Sequence, residues 1–132
     1  MTHGRVSRAQ IQVKGTLLSY LEAGGGSAVP LFLLHGTFWS RAWLPVLPGL
    51  AAHSRCVALD LPGFGASDGE LDVHNATVPE LARTVLAAAD ALSMARFDLA
   101  GHDIGGGIAQ HLAATSGRPR RNYPQGSGQA TE

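Results

Sequence analysis

The sequence is poor in several features that would assign a protein to a class at once. It has one cysteine, Cys56, so no intrachain disulfide can form, and its apolar neighbours predict a small buried thiol. Its 10 basic and 10 acidic residues give a formal net charge of zero, which excludes the basic excess of a nucleic-acid-binding surface. The longest apolar run, residues 29–34, is far shorter than the roughly 20 residues that cross a bilayer, and no secretory signal is visible. We therefore expect a cytoplasmic protein without nucleic-acid or membrane partners.

Strands and helices alternate along the first 117 residues. Strand patterns lie on both sides of Gly15, and the later predicted strands are residues 29–34, 55–60 and 96–100. The predicted helices are residues 77–93, which Thr77 can cap, residues 104–115, and an irregular segment at 39–52 that contains two prolines. Strands that alternate with helices predict an α/β fold, namely a three-layer sandwich with a mostly parallel sheet and flanking helices.

The composition changes after Ser116. Residues 118–132 contain no aliphatic run, and their only apolar members are Tyr123 and Ala130. Such a segment buries too little apolar surface to offset its ordering entropy. The sequence therefore predicts a folded unit over residues 1–117 and a disordered, solvated tail over residues 118–132.

A glycine-rich turn around Asp103 joins the last predicted strand to the last predicted helix. Residues 101–107 read Gly-His-Asp-Ile-Gly-Gly-Gly, which fits a turn that raises a nucleophile above a sheet while small residues let strand and helix approach. The helix N-terminus favours a charged carboxylate at this place. A phosphate cradle is disfavoured, because the glycine spacing is not G-x-G-x-x-G and Asp103 would repel a pyrophosphate.

Two further segments join the turn in a recognisable order. The tetrapeptide His-Gly-Thr-Phe, from His35 to Phe38, follows the predicted strand 29–34. Residues 60–68, at the end of the predicted strand 55–60, read Asp-Leu-Pro-Gly-Phe-Gly-Ala-Ser-Asp. In this order the three segments resemble the α/β-hydrolase fold family over roughly residues 10–117. An aspartate within Gly-His-Asp-x-Gly-Gly resembles the branch of epoxide hydrolases and haloalkane dehalogenases.

The resemblance implies a role for each matching residue. Asp103 would be the nucleophile that forms an alkyl ester with a small organic electrophile, either an epoxide, an alkyl halide or an ester. The backbone N–H groups of Thr37 and Ile104 would form the oxyanion hole, and His35 and Gly36 would shape the oxyanion turn. The 60–68 segment would be a structural turn, and the histidine beside Asp103 a packing residue. No cofactor and no metal are implied.

The chain also departs from the family. The family's order is nucleophile, acid, histidine, but the only histidine after Asp103 is His111 and the only acid is Glu132. We therefore expect an N-terminal half, a truncated α/β-hydrolase fold that is inactive by itself. The alternatives are a non-catalytic remnant or interaction domain, and a half-enzyme completed by a second chain. Ile104 offers no side-chain donor for a halide, which favours epoxide-hydrolase-like chemistry. The open edge of strand 96–100 predicts self-association.

Overall fold

The computed structural model describes residues 5–26, 28–36 and 39–125, without the side chains of residues 124 and 125. It contains a mixed sheet with flanking helices, as the alternation predicts. The strands are β1 Val6–Val13, β2 Thr16–Ala23, β3 Leu31–Leu34, β4 Cys56–Leu59, β5 Phe97–His102 and β6 Pro119–Gln125. The helices are α1 Leu47–Leu50, α2 Val78–Ala91 and α3 Ile104–Thr115, and a 3₁₀ turn spans Ser40–Trp43.

The sheet has the strand order β1-β2-β4-β3-β5-β6. β1 and β2 form an antiparallel hairpin whose turn residues, Lys14 and Gly15, both have positive φ, at 52° and 81°, as the favoured two-residue hairpin turns require. β4, β3, β5 and β6 are all parallel. Because parallel strands point the same way, β3, β4 and β5 end at one edge, where the 35–36, 60–68 and 101–107 segments begin.

The two faces of the sheet are covered unequally. On one face α2 and α3 pack on the alternate strand residues Phe32, Leu34 and Leu59, all fully buried. On the other face, within the part of the chain that the structure describes, Leu33 and its neighbours pack against the 3₁₀ turn and the short helix α1. Two prolines keep this segment irregular, as expected. The second face is therefore thinly covered.

Helix α2 begins where its sequence signals place it. The Thr77 side chain accepts a hydrogen bond from the Glu80 N–H at 3.3 Å, and Pro79 lies in the first turn. The buried face includes Leu81 and Val85. Within the described residues no helix is both long and apolar enough to span a bilayer.

The prediction of a disordered tail from residue 118 is wrong over Pro119–Gln125, which forms β6 beside β5. Residues 126–132 lie outside the described residues. Polar contacts replace the missing apolar ones: the Arg118 guanidinium donates to the carbonyls of Met94 and Ala95 at 2.7 and 3.0 Å, and Arg120 pairs with both Asp98 oxygens at 2.8 and 3.1 Å.

The expectation that β5 lies at an open edge is wrong for the same reason. β6 pairs with β5 from Phe97 to His102, with one irregularity between Phe97 and Leu99. The sheet edge is therefore β6 itself. Apolar runs do not predict such a strand, because an edge strand can be held by backbone hydrogen bonds and ion pairs.

Candidate active site

Asp103 lies on the turn between β5 and α3, at the N-cap of the helix. Its backbone has φ 59° and ψ −118°, a conformation that is costly for a residue with a Cβ and is characteristic of a nucleophile elbow. The side chain is half-buried and adjoins the first turn of α3, whose N–H groups carry the positive end of the helix dipole. This environment suits a charged carboxylate.

The flanking glycines are required by close backbone approach. A Cβ on Gly101 would lie 2.2 Å from the Gly105 carbonyl oxygen, and a Cβ on Gly105 would lie 2.3 Å from the Leu34 carbonyl oxygen. These glycines let α3 start directly against β3 and β5, as the sequence predicts. For Gly107 the same expectation is wrong, because a Cβ there would meet only Val78 at 3.9 Å, an ordinary contact.

The turn after β3 lies against the elbow. A Cβ on Gly36 would be 2.6 Å from the Asp103 Cβ and 2.7 Å from the His102 carbonyl oxygen. The structure thus brings together Gly36, Asp103 and the first residue of α3, Ile104. Thr37, the other predicted oxyanion donor, lies outside the described residues.

His35 is held inside the protein as a neutral ring. Its Nε2 accepts a hydrogen bond from the Leu61 N–H at 3.0 Å, so Nδ1 carries the proton and donates to the Gly36 carbonyl at 2.9 Å. The residue is 1% exposed, and burial lowers the pKa of its imidazole. With both nitrogens bonded to backbone, His35 fixes the turn and has no lone pair for a reacting water.

A buried carboxylate just after β4, that of Asp60, links the 3₁₀ turn Ser40–Trp43 to the 60–68 segment. Asp60 is 0% exposed; its Oδ1 accepts from the Ser40 N–H at 2.7 Å, and its Oδ2 accepts from the Ala66 N–H at 3.1 Å and from Arg8 at 3.2 Å. Arg8 also donates to the Ser19 hydroxyl at 2.6 Å. This agrees with a structural role for the 60–68 segment.

The sequence does not reveal that Arg8 belongs to this network. Arg8 stands 52 residues before Asp60, and only the antiparallel hairpin brings β1 across β2 to the end of β4. Its guanidinium also lies 5.6 Å from the centre of the Trp39 ring, at cation–π distance. A lone arginine in a strand carries no signal of such a partner.

The remaining candidate side chains lie at different distances from the elbow. His102 is exposed and adjoins Asp103. His111 lies on α3 eight residues beyond Asp103, on the order of 12 Å away by helical rise, and Glu132 lies outside the described residues. Cys56 is fully buried and burial raises the pKa of its thiol, which fits the predicted inert thiol. Over residues 5–26, 28–36 and 39–125 no three His, Cys, Asp or Glu side chains form a metal-binding group.

A hollow of about 380 Å³ adjoins the elbow on the thinly covered face. Trp43 lines it, with its indole Nε1 buried and without a hydrogen-bond partner among the described residues. The other lining residues are His35, Gly36, Ala42, Ala100, Gly101, His102 and Tyr123. Trp43 otherwise packs against the second apolar cluster, as expected of a core residue.

Comparison with known proteins identifies the family. The family described as "alpha/beta hydrolase fold" matches residues 29–121, a stretch that contains the elbow, the turn after β3 and the 60–68 segment. The chain belongs to the α/β-hydrolase fold family.

Individual relatives carry several activities. The chain is 43% identical over 103 residues to the dihydrolipoyllysine-residue acetyltransferase component of the acetoin cleaving system of Pseudomonas putida, covering 77% of this chain and 27% of that protein. It is 36% identical over 114 residues to a haloalkane dehalogenase of Mesorhizobium japonicum, covering 86% and 36%. The solved structure of the epoxide hydrolase CorEH superposes with a TM-score of 0.79 at 29% identity, covering 87% and 40%.

The chain spans about a third of the length of the curated relatives it matches. The matched part holds the turn around Asp103 and the turn after β3.

Proposed function

We propose that this chain supplies the nucleophile-bearing half of a hydrolase that acts on small organic electrophiles through Asp103. The observation that supports it best is the elbow: a carboxylate stands at the N-terminus of α3 with φ 59°, and Gly36 is pressed against it. Strained backbone conformations of this kind cluster at functional sites. An aspartate at the nucleophile position also fits relatives named as a haloalkane dehalogenase and an epoxide hydrolase.

The proposed step is a nucleophilic displacement. A carboxylate oxygen of Asp103 attacks an sp³ carbon of the substrate, a C–O ester bond forms, and the bond to the leaving group breaks. With an alkyl halide the halide leaves with the electron pair. With an epoxide the ring opens, and the alkoxide takes a proton from water. Before attack, the Asp103 carboxylate lies at the N-terminal end of α3.

The residue after the nucleophile favours an epoxide over a halide. Ile104 has no side-chain hydrogen-bond donor, and its side chain packs half-buried against the main apolar cluster. A departing halide would gain nothing from it. We therefore place an epoxide first among the electrophiles, with alkyl halides and activated esters after it.

In this proposal the given chain does not release the ester by itself. Hydrolysis needs an activated water, and a general base typically contributes roughly 10²- to 10⁴-fold. His35 is bonded to backbone on both nitrogens, and His111 lies eight residues, more than two helical turns, beyond Asp103 along α3. The N–H groups of Thr37 and Ile104 are the proposed oxyanion donors for this step. The base that activates the water would come from another polypeptide segment.

Alkylation of the purified chain by a small reactive epoxide tests the proposal. We expect an adduct at Asp103, located by peptide mass spectrometry, to form at least about tenfold faster than an adduct at the exposed Glu70, because the hollow beside the elbow can hold the epoxide close to Asp103. Asp103→Asn keeps the shape and removes the nucleophile, so the variant should give only background labelling. Equal labelling of Asp103 and Glu70 would contradict the proposal.

The same proposal includes two broader expectations. The free edge of β6 is expected to mediate self-association, and a cytoplasmic location stays a prediction from the composition. Neither affects the chemistry assigned to Asp103.

A further inference from the structure

The turn after β3, in which the proposed oxyanion donor Thr37 stands, is anchored on both sides to the residues that follow β4. Before it, the His35 Nε2 accepts a hydrogen bond from the Leu61 N–H at 3.0 Å. After it, the Ser40 N–H donates to Asp60 Oδ1 at 2.7 Å. Because Asp60 and Leu61 are consecutive, the position of the turn depends on where this pair of residues lies.

Asp60 in turn has a cationic partner from the first strand. Its carboxylate is fully buried, and among the described residues the Arg8 guanidinium on β1 is the cation that pairs with it, at 3.2 Å. The same Nη1 atom donates to the Ser19 hydroxyl at 2.6 Å, and the Ser19 carbonyl accepts from the Asp60 N–H at 2.9 Å. Removing one partner of such a pair leaves an unpaired buried charge, which is strongly unfavourable.

Arg8 also packs directly on the residue before Ser40. Its guanidinium carbon lies 5.6 Å from the centre of the Trp39 ring. Gly65 makes room for this arrangement, because a Cβ there would lie 2.6 Å from both Trp39 Cε3 and Asp60 Cγ. One guanidinium therefore contacts both the carboxylate that accepts the Ser40 N–H and the ring beside it.

We infer that Arg8 is a positioning residue for the turn after β3, and that through Asp60 it sets where the proposed oxyanion donors lie relative to Asp103. A buried ion pair is weak evidence for net stability, whereas this one fixes a turn whose Gly36 lies against the Asp103 side chain. The inference rests on the proposed function, in which these donors stabilise the oxyanion that forms when the Asp103 ester is cleaved. Arg8 itself is assigned no contact with the substrate.

Cleavage of the Asp103 ester by hydroxylamine tests the inference, because this reagent needs no base from the protein. The chain is first alkylated with a small epoxide and freed of the reagent. The hydroxylamine nitrogen then attacks Asp103 Cγ, and the negative charge of the tetrahedral intermediate lies on a carboxyl oxygen. The bond to the alkyl oxygen breaks, the proton lost by nitrogen passes through water to the departing alkoxide, and Asp103 is left as a hydroxamate. Mass spectrometry follows this step at Asp103 and, as an internal reference, at alkylated Glu70, which is exposed.

Arg8→Met should slow cleavage at Asp103 at least about tenfold, because a displaced oxyanion donor loses much of its effect, and should not change cleavage at Glu70. The initial alkylation of Asp103 forms no oxyanion on its carboxyl group and should change less than about twofold. Arg83→Met, at an exposed arginine that pairs with Glu80, should match the wild type in both steps. An unchanged cleavage rate at Asp103, or an equal fall in alkylation and cleavage, would overturn the inference.

Two further measurements keep the test decisive. Ser19→Ala removes only the hydroxyl that orients Arg8; if Arg8→Met does not fold, slower cleavage at Asp103 in Ser19→Ala supports the inference and a wild-type rate overturns it. If no Asp103 ester is obtained from the wild-type chain, the proposed function fails and amide hydrogen exchange decides the inference separately. Arg8→Met should then speed exchange of the Ser40 N–H at least about tenfold but not that of the Gly107 N–H, which donates to the Asp103 carbonyl. Exchange of the Ser40 N–H at the wild-type rate would contradict the inference.

Discussion

Asp103, the proposed nucleophile, has a backbone conformation that costs free energy. Its φ of 59° and ψ of −118° suit glycine, yet a carboxylate stands there. Such positions typically cost on the order of 1–3 kcal/mol. The surrounding glycines at positions 101 and 105 make the turn possible, and Gly36 leaves room for the side chain. A chain free of functional demands would place glycine at position 103.

Replacing Asp103 by glycine and by alanine separates strain from lost contacts. Both variants remove the carboxylate, but only glycine relieves the positive φ. We expect Asp103→Gly to be more stable than Asp103→Ala by about 1 kcal/mol, after the higher unfolded-state entropy of glycine is subtracted. Urea denaturation measures the difference. An alanine variant that equals or exceeds the glycine variant would contradict the strained elbow.

His35 predicts how stability depends on pH. Burial holds the pKa of its ring below the ordinary value of 6.5, while in the unfolded chain it titrates near that value. As the pH falls through about 6.5, the unfolded state takes up a proton that the folded state does not, so the free energy of unfolding decreases. His35→Gln should therefore lose less stability than the wild type between pH of about 7.5 and 5.5, measured by urea denaturation.

A surface histidine provides the control for this pH dependence. His111→Gln alters a residue on α3 that is not fully buried and should keep the wild-type slope. If His35→Gln and the wild type lose stability equally toward acid, the neutral buried ring is not the cause.

At the level of elements, glycine spacing and helix caps could be read from the sequence, and the last strand could not. The 101–107 turn is a local pattern in which Gly101 and Gly105 are required by the close approach of neighbouring backbone. β6 depends instead on Arg118 reaching the carbonyls of Met94 and Ala95, and on Arg120 reaching Asp98, contacts between segments more than 20 residues apart. The Arg8–Asp60 link escaped prediction for the same reason.

Two of the three glycines within α3, Gly105 and Gly107, should respond oppositely to alanine. Gly107→Ala meets only an ordinary contact with Val78 and should stabilise the protein by about 0.5–1 kcal/mol through helix propensity. Gly105→Ala drives a Cβ to 2.3 Å from the Leu34 carbonyl oxygen and should cost about 3 kcal/mol or more. Thermal or urea denaturation of the pair measures both effects. Equal effects would mean that α3 does not start against β3.

At the level of the whole molecule, β6 lies at the edge of the described sheet, beside the hollow that Trp43 lines. Among the described residues β6 pairs only with β5, and Tyr123 is exposed on it. We expect concentration-dependent association by light scattering, reduced by Tyr123→Lys because charge blunts an edge strand. Val73→Lys removes an even more exposed apolar side chain, which lies outside β6, and should have no effect. A monodisperse monomer with cooperative melting would contradict this expectation.

The most direct test of the central claim counts halide released from a small reactive alkyl halide by the purified chain. If Asp103 attacks and the ester cannot turn over, release should stop near one halide per chain, with the chain left carrying the alkyl group, and Asp103→Asn should release none above background. Release that continues linearly past one equivalent and disappears in Asp103→Asn would show that a base acts on the ester, and would contradict the account of this chain as a nucleophile-bearing half.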